Sequence, residues 1–97
     1  MDISRFEAAA IRNGYRMEAR SAAQLDGTDA LVAFVDLETA DSDAAIVALA
    51  AQDVHVVAFG PHVDDMAMVR ARSLGASVAE PRSRVFMDPA AYLPPLV

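Results

Sequence analysis

Two short apolar runs stand out in the pattern of hydrophobic and polar positions along the chain. Residues 30–35 are apolar throughout and are followed by Asp36, and residues 54–59 are apolar except for His55. Short continuous apolar runs are typical of strands that are buried on both faces of a parallel sheet. The pattern therefore predicts two strands at the centre of such a sheet.

Helical signals precede the first run. Ser4 and Glu7 have the spacing of a capping box, in which the two side chains satisfy main-chain amides at the start of a helix. Gly14 predicts the end of this helix. Residues 15–19 then alternate between apolar and polar side chains, which favours a short strand before the first apolar run.

Two further helices are predicted around the second apolar run. Residues 41–43 supply capping groups for a helix that reaches about residue 52, and Asp64 or Asp65 begins the next one. Gly75 predicts a left-handed cap at its end. The residues expected on the inward faces of these two helices are Ile46, Val47, Leu49, Ala50, Met66, Val69 and Leu74.

The last part of the chain completes an alternation of strands and helices. A short strand is expected over residues 77–80, and a final helix from Pro89 is cut short by Pro94 and Pro95. This order predicts a single α/β domain over residues 1–97, a small three-layer sandwich with a parallel sheet of about four strands. The residues expected to be buried in the central strands are Val32, Phe34, Val56, Val57 and Phe59.

Composition narrows the range of partners. The net charge of −6 argues against nucleic acid, because phosphate backbones attract cationic surfaces. No apolar run approaches the roughly 20 residues that span a bilayer, and the first residues lack the pattern of a secretory signal. The chain contains no cysteine, and all eight of its basic residues are arginine. We therefore expect a cytoplasmic protein that binds neither nucleic acid nor membranes.

The order of elements resembles that of the response-regulator receiver, a flavodoxin-like domain of signal transduction. Asp36 stands where a receiver carries its phosphoacceptor aspartate, at the end of a buried strand. Gly75 and Ala76 match the pair that commonly precedes the last strand of that family. The resemblance covers nearly the whole chain as a pattern of elements, and it implies a receiver-like fold.

Other receiver positions differ in this chain. The serine or threonine that binds the phosphoryl group falls on Gly60, the lysine falls on Arg82, and the strand that precedes the acidic Mg²⁺ ligands is absent. Phosphoryl transfer to an aspartate needs a divalent cation, and Asp36 with Glu38 offers few ligands for one. The resemblance thus implies a pseudo-receiver, a non-catalytic regulatory or protein-interaction module with no catalytic residue, metal or other cofactor.

The absent strand lies at the centre of the sheet in receivers. Without it, residues 15–19 pair directly with residues 30–35, or an apolar edge stays open and recruits another chain. We therefore expect a protein partner or self-association, in the simplest case a homodimer. A start codon upstream of Met1 is the remaining alternative.

Candidate binding residues gather where the strands are expected to end. Ligands of parallel sheets bind beyond the carboxyl ends of the strands, which makes Gly60, His62, Arg82 and Arg84 candidates for binding an anion or a partner near Asp36. Two other functions stay open: a receiver that is phosphorylated at Asp36, and a small enzyme or ligand- or metal-binding domain that uses Asp36, His62 and Arg82. The plainer alternative is that these are ordinary polar loop ends, with His62 capping the helix that follows it.

Overall fold

Seven regular elements and one 3₁₀ helix make up the part of the chain that the structure describes. The computed structural model describes residues 4–18, 20, 24–25, 27–61 and 65–94. In chain order the elements are α1 (Ser4–Arg12), β1 (Val32–Asp36), α2 (Ser42–Ala50), β2 (His55–Gly60), α3 (Asp65–Ser73), β3 (Val78–Pro81) and α4 (Arg82–Met87), followed by the 3₁₀ helix Pro89–Tyr92. The α/β class predicted from the sequence is confirmed.

The sheet contains three parallel strands in the order β1-β2-β3. Its register pairs Val32 with His55 and Val57 with Val78. Each crossover moves the chain over by one strand, and two right-handed crossovers in the same direction place α2 and α3 on the same face of the sheet. β2 is therefore the central strand, and five of its six residues are buried.

The fourth strand expected over residues 15–19 is not found in the described stretch 15–18, and residue 19 lies outside the description. The Tyr15 amide instead donates a hydrogen bond to the carbonyl oxygen of Ala10, at 2.8 Å, which closes the end of α1. The Tyr15 hydroxyl donates to the carbonyl oxygen of Pro94, which is distant in sequence. These contacts fix the segment to α1 and to the C-terminal part of the chain rather than to β1.

The core has two halves, one on each face of the sheet. Because side chains alternate along a strand, Val56 and Ala58 face one half, and Val57 and Phe59 face the other. The first half includes Ile46 and Leu49 of α2 with Met68 and Ala71 of α3. The second half joins Val57 and Phe59 to Phe6 of α1 and Val85 of α4. Small and branched side chains dominate the first half, and aromatic rings dominate the second.

Burial of Ile46, Leu49, Val56, Val57 and Phe59 is confirmed, whereas other expected core residues differ. Val32, Phe34 and Leu74 are only partly buried and Ala50 is intermediate. The prediction was wrong for three residues whose side chains are largely exposed: Val47 (49%), Met66 (79%) and Val69 (58%).

The error in α3 is a rotation of the helix about its axis. α3 turns Met68 and Ala71 toward the sheet, where Ala71 packs in the same cluster as Ala76 and Ala79. Small residues at this contact let the helix lie close to the sheet. Among the described residues, no helix has the length and apolar character needed to cross a membrane.

Two glycines end helices as predicted. Gly14 follows α1 with a φ of +81°, and Gly75 follows α3 with a φ of +118°. The Ala76 amide then donates to the carbonyl oxygen of Ala71, at 3.0 Å, and so satisfies a free carbonyl of the last turn. One helix was not predicted: α4 begins at Arg82, where the sequence suggested a charged loop.

Candidate functional site

The carboxyl ends of the three strands form the candidate site. β1 ends at Asp36, β2 at Gly60 and β3 at Pro81, and Arg82 follows directly as the first residue of α4. Neighbouring strands lie about 4.8 Å apart, so β1 and β3 are separated by about 10 Å across β2. An extended arginine side chain from one strand end and an aspartate side chain from the other can together cover this distance.

Arg82 binds two carboxylates of the β1 end. Its Nη2 atom lies 2.9 Å from Oδ1 of Asp36 and 2.8 Å from Oε2 of Glu38. Its Nη1 atom lies 3.4 Å from Oδ2 of Asp36, so the guanidinium engages both oxygens of that carboxylate. The Asp36 side chain is 15% exposed and that of Arg82 is 29% exposed, so water screens this ion pair only in part.

The backbone after β1 holds the two carboxylates in place. Oδ1 of Asp36 accepts a hydrogen bond from the Glu38 amide at 2.9 Å, which is a local turn that aspartate often makes. The main-chain oxygen of Asp36 accepts from both the amide and the hydroxyl of Thr39. This turn brings Glu38 to the same guanidinium as Asp36.

Aromatic rings pack against the guanidinium of Arg82. Its central carbon lies 5.2 Å from the centroid of the Phe59 ring and 5.9 Å from that of Phe86, distances at which a cation is attracted to a ring face. The Phe59 and Phe86 rings also meet each other edge to face, with centroids 5.4 Å apart. Arg82 is thus held by ion pairs on one side and by the aromatic half of the core on the other.

The charge of Arg82 is already balanced within the chain. Two carboxylates contact one guanidinium, so the three side chains carry a net charge of about −1, which repels an anion rather than attracting it. Among the described residues, no group of three or more histidine, aspartate or glutamate side chains is placed to hold a metal ion.

The structure brings together only some of the candidate residues. Asp36 and Arg82 are in direct contact, and Gly60 lies on the strand between them, where an added Cβ would be 3.4 Å from the Leu37 side chain. Arg84 points elsewhere: its side chain is 66% exposed, and its Nη1 atom lies 3.6 Å from Glu80. His62 lies outside the described residues.

The outer edge of β1 is a second feature of this strand. The carbonyl oxygen of Leu31 accepts a hydrogen bond from the His55 amide at 3.1 Å. The Leu37 amide donates one to the carbonyl oxygen of Phe59 at 2.9 Å. In a parallel pair, alternate residues bond to the same neighbour, so Leu31 and Leu37 face β2 together with the odd-numbered residues between them. The amides and carbonyls of Val32 and Phe34 therefore point away from β2, and they have no hydrogen-bond partner within the described ranges.

A groove of about 770 Å³ runs along this outer edge. Lining residues come from α1 and residues 14–18, and from residues 39–41 with Ala45 and Leu49 of α2. β1 itself forms the floor, from Val32 to Asp36. The sequence analysis named an open edge as one of two outcomes, but it did not predict that the edge lies at the bottom of a groove.

Gln52 anchors the segment that precedes β1, and the sequence analysis missed it. Its Oε1 atom accepts from the Thr28 amide at 3.0 Å, and its Nε2 atom donates to the carbonyl oxygens of Leu25 and Ala48. The side chain therefore ties the segment before β1 to the end of α2. A glutamine at a helix end carries no distinctive pattern, so the sequence offers little to single it out.

Compared with protein-family models, with curated proteins and with solved structures, the chain gave no match. Its function therefore has to be inferred from its own residues and their geometry.

Proposed function

We propose that this chain is a non-catalytic, receiver-like regulatory module of the cytoplasm that works by binding a protein partner. In this proposal Asp36 is a structural residue, and β1 is the interaction element. The partner is either another protein or a second copy of the chain, as in a homodimer. A strand contributed by that partner would complete a four-stranded sheet between two layers of helices.

The observation that carries the proposal is a contrast between the carboxyl end of β1 and its outer edge. Its terminal carboxylate is engaged by Arg82 through both oxygens. Its outer edge, by contrast, has main-chain groups at Val32 and Phe34 without partners among the described residues. An unpaired strand edge is the feature by which sheets recruit an extended segment of another protein.

The same geometry weighs against phosphorylation at Asp36. A phosphoryl donor approaching Asp36 would have to displace Arg82 from a carboxylate that is 15% exposed. Glu38, the one nearby acid that the sequence offered as a metal ligand, is also bound to Arg82, at 2.8 Å. Both carboxylates thus bind the guanidinium of Arg82, the group that a metal ion would have to displace.

Incubation with acetyl phosphate and Mg²⁺, followed by intact-mass measurement, tests this proposal. We expect no mass gain in the native chain or in Asp36→Asn. A stoichiometric gain of one phosphoryl group that is lost in Asp36→Asn would overturn it and identify the chain as an active receiver. The variant Arg84→Gln serves as a control, because Arg84 does not contact Asp36.

A further inference from the structure

We propose that Asn13 is a modification site at which the chain reacts with itself. The main-chain nitrogen of Gly14 attacks the Asn13 side chain, which loses its amide as ammonia, and the last turn of α1 controls the rate. Asn13 is the one asparagine of the sequence, and glycine follows it directly. Both residues are exposed. The reaction needs only water as a further reactant, and it is independent of the proposed function.

The two residues supply every group that the reaction needs. The nitrogen of Gly14 attacks Cγ of Asn13, the new N–Cγ bond closes a five-membered succinimide ring, and the Cγ–Nδ2 bond breaks. Ammonia leaves with the proton that the Gly14 nitrogen gives up. Water then opens the ring at either carbonyl group, which leaves aspartate or isoaspartate at position 13. Because glycine has no Cβ to obstruct its nitrogen, it is the residue that favours this attack most.

Hydrogen bonds hold both reacting groups in the folded chain. Nδ2 of Asn13 donates to the carbonyl oxygen of Ala9 at 2.7 Å. The Gly14 amide donates to the carbonyl oxygen of Ile11 at 3.2 Å. The ring closes only after the Asn13 side chain and the Gly14 nitrogen have left these acceptors and turned toward each other. The reaction therefore starts from a state in which the last turn of α1 is open.

The last turn of α1 can open without unfolding of the core. Residues 11–14 are exposed, whereas the buried residues of the helix, Phe6, Ala9 and Ala10, precede them. Helix ends open locally at a much lower free energy than the whole domain unfolds. The folded chain is therefore expected to react, but more slowly than the unfolded chain.

Tyr15 limits how often this turn opens. Its amide donates to the carbonyl oxygen of Ala10 at 2.8 Å, and its hydroxyl donates to the carbonyl oxygen of Pro94. The residue directly after the reactive pair is thus fixed at two points. Loss of the hydroxyl removes one of them, so the turn opens more often and the reaction becomes faster.

Either product weakens the end of α1. The new carboxylate lacks the donor that bonded the carbonyl oxygen of Ala9, and it places a negative charge at the negative end of the helix. Isoaspartate also lengthens the main chain by one carbon, which moves the Gly14 amide relative to its acceptor. The ring of Phe6 lies 4.8 Å from those of Phe34 and Phe86, between centroids. The modification therefore weakens the attachment of α1 to the aromatic half of the core.

Mass spectrometry of the full chain follows the reaction. The chain is incubated at mildly alkaline pH, folded in buffer or unfolded in guanidinium chloride, and the mass gain from replacement of NH₂ by OH is located by fragmentation. We expect the gain at Asn13 in both states, with the folded chain slower by a factor of up to about a thousand, as for local opening. Asp26 and Gly27 can form the same ring, but without a change in mass.

Three results of this experiment overturn the inference. The first is an unfolded chain that gains no mass at Asn13, because the pair is then not reactive. The second is an equal rate in the two states, because α1 then exerts no control. The third is a folded rate below about a thousandth of the unfolded rate, because the reaction would then need unfolding of the whole domain.

Two hydroxyl deletions test the control by α1. Tyr15→Phe removes the hydrogen bond to Pro94, and we expect its folded chain to react about two- to tenfold faster, with no change in the unfolded chain. Ser73→Ala removes a comparable bond at the end of α3, from its hydroxyl to the carbonyl oxygen of Arg70 at 2.6 Å. It should leave both rates unchanged. A folded Tyr15→Phe chain that reacts at the native rate overturns the role of Tyr15.

Gly14→Ala tests the ring closure. It is measured in the unfolded chain, where the φ of +81° that residue 14 adopts in the fold has no consequence. We expect the mass gain at Asn13 to slow severalfold, because the added Cβ obstructs the attacking nitrogen. An unchanged rate would mean that water hydrolyses the side-chain amide directly, and it would overturn the attack by Gly14.

The stability of the separated product tests the consequence for the fold. We expect the modified chain, purified by ion exchange, to melt about 4–8 °C below the native chain, as for the loss of a hydrogen bond in a domain of this size. Asn13→Asp carries the new charge without the lengthened main chain and should show part of this decrease. An unchanged melting temperature of the purified product overturns the weakening of α1.

Discussion

At the scale of single residues, Arg82 and Arg84 form a matched pair within one short helix. Arg82 binds Asp36 and Glu38 and packs on two rings, whereas Arg84 makes one exposed contact at 3.6 Å. We expect Arg82→Gln to lower the free energy of unfolding by about 1.5–3 kcal/mol, because it leaves a largely buried carboxylate without its charged partner. Arg84→Gln should change it by no more than about 0.5 kcal/mol. Urea unfolding of the two variants measures the difference.

A double-mutant cycle then separates the ion pair from the packing of Arg82. Combining Arg82→Gln with Asp36→Asn should reveal a coupling energy of about 0.5–3 kcal/mol, the range for residues in direct contact. The loss of ring contacts contributes to the single Arg82 variant but not to the coupling. A coupling near zero would mean that Asp36 and Arg82 do not stabilise each other in solution.

Tyr92 is the residue whose protonation links stability to alkaline pH. Partial burial raises the pKa of its phenol above the usual value of about 10, and the carboxylate of Glu80 adds to the effect. The folded state therefore favours the protonated phenol, and this contribution to stability is fully present below pH 10 and is lost as the pH rises through the folded pKa.

Urea unfolding at several pH values from 9 to 11 checks this prediction. The native chain should lose stability over that range more steeply than Tyr92→Phe, which has no phenol to ionise. An equal loss of unfolding free energy with rising pH in the two proteins would contradict the prediction. The comparison between the two proteins cancels the contribution of Tyr15, which both contain.

At the scale of elements, the end of α3 depends on the absence of a side chain at Gly75. Its φ is +118°, and an added Cβ would lie 2.6 Å from the Cβ of Ala50 at the end of α2. We expect Gly75→Ala to destabilise the fold by about 2 kcal/mol or more, since backbone strain and a steric clash both act. Thermal unfolding followed by circular dichroism measures the effect.

Two controls separate strain from the clash. Gly27→Ala also places alanine at positive φ, but nothing lies within 4 Å of its Cβ, so it should cost only about 1–2 kcal/mol. Ala50→Gly, added to Gly75→Ala, should restore part of the lost stability by removing the clashing atom. Because glycine itself destabilises a helix by about 1 kcal/mol, recovery is measured relative to Ala50→Gly alone. Strictly additive effects of the two substitutions would show that the two helices do not meet as described.

The helix faces show where sequence patterns are informative and where they are not. In α2, Ile46 and Leu49 are buried as predicted, but Val47, which was also expected inward, is 49% exposed. In α3, the apolar residues surround the helix, so Met66 and Val69 were expected inward although they are exposed. Met68 and the small Ala71 make the contact with the sheet. A hydropathy pattern does not show that a small residue is favoured where a helix packs closely against a sheet.

At the scale of the whole molecule, the candidate site was predictable in position but not in its contacts. Parallel strands place their carboxyl ends at one edge, so the approach of Asp36 and Arg82 follows from the strand assignments alone. That they bind each other depends on the strand order, which sets the distance from β1 to β3. The groove depends on the path of residues 14–18, which lie against α1 instead of pairing with β1.

The strand order also has a consequence for how the chain folds. Val32 pairs with His55, 23 residues later, and Val57 with Val78, 21 residues later, so each strand pair closes a loop that includes a whole helix. The described sheet contains no hairpin to form early at low entropic cost. Proteins dominated by such distant contacts fold slowly for their size. β2 takes part in both pairings, so sheet assembly depends on its arrival between the other two strands. Until then the apolar strands β1 and β2 are exposed to association with other chains.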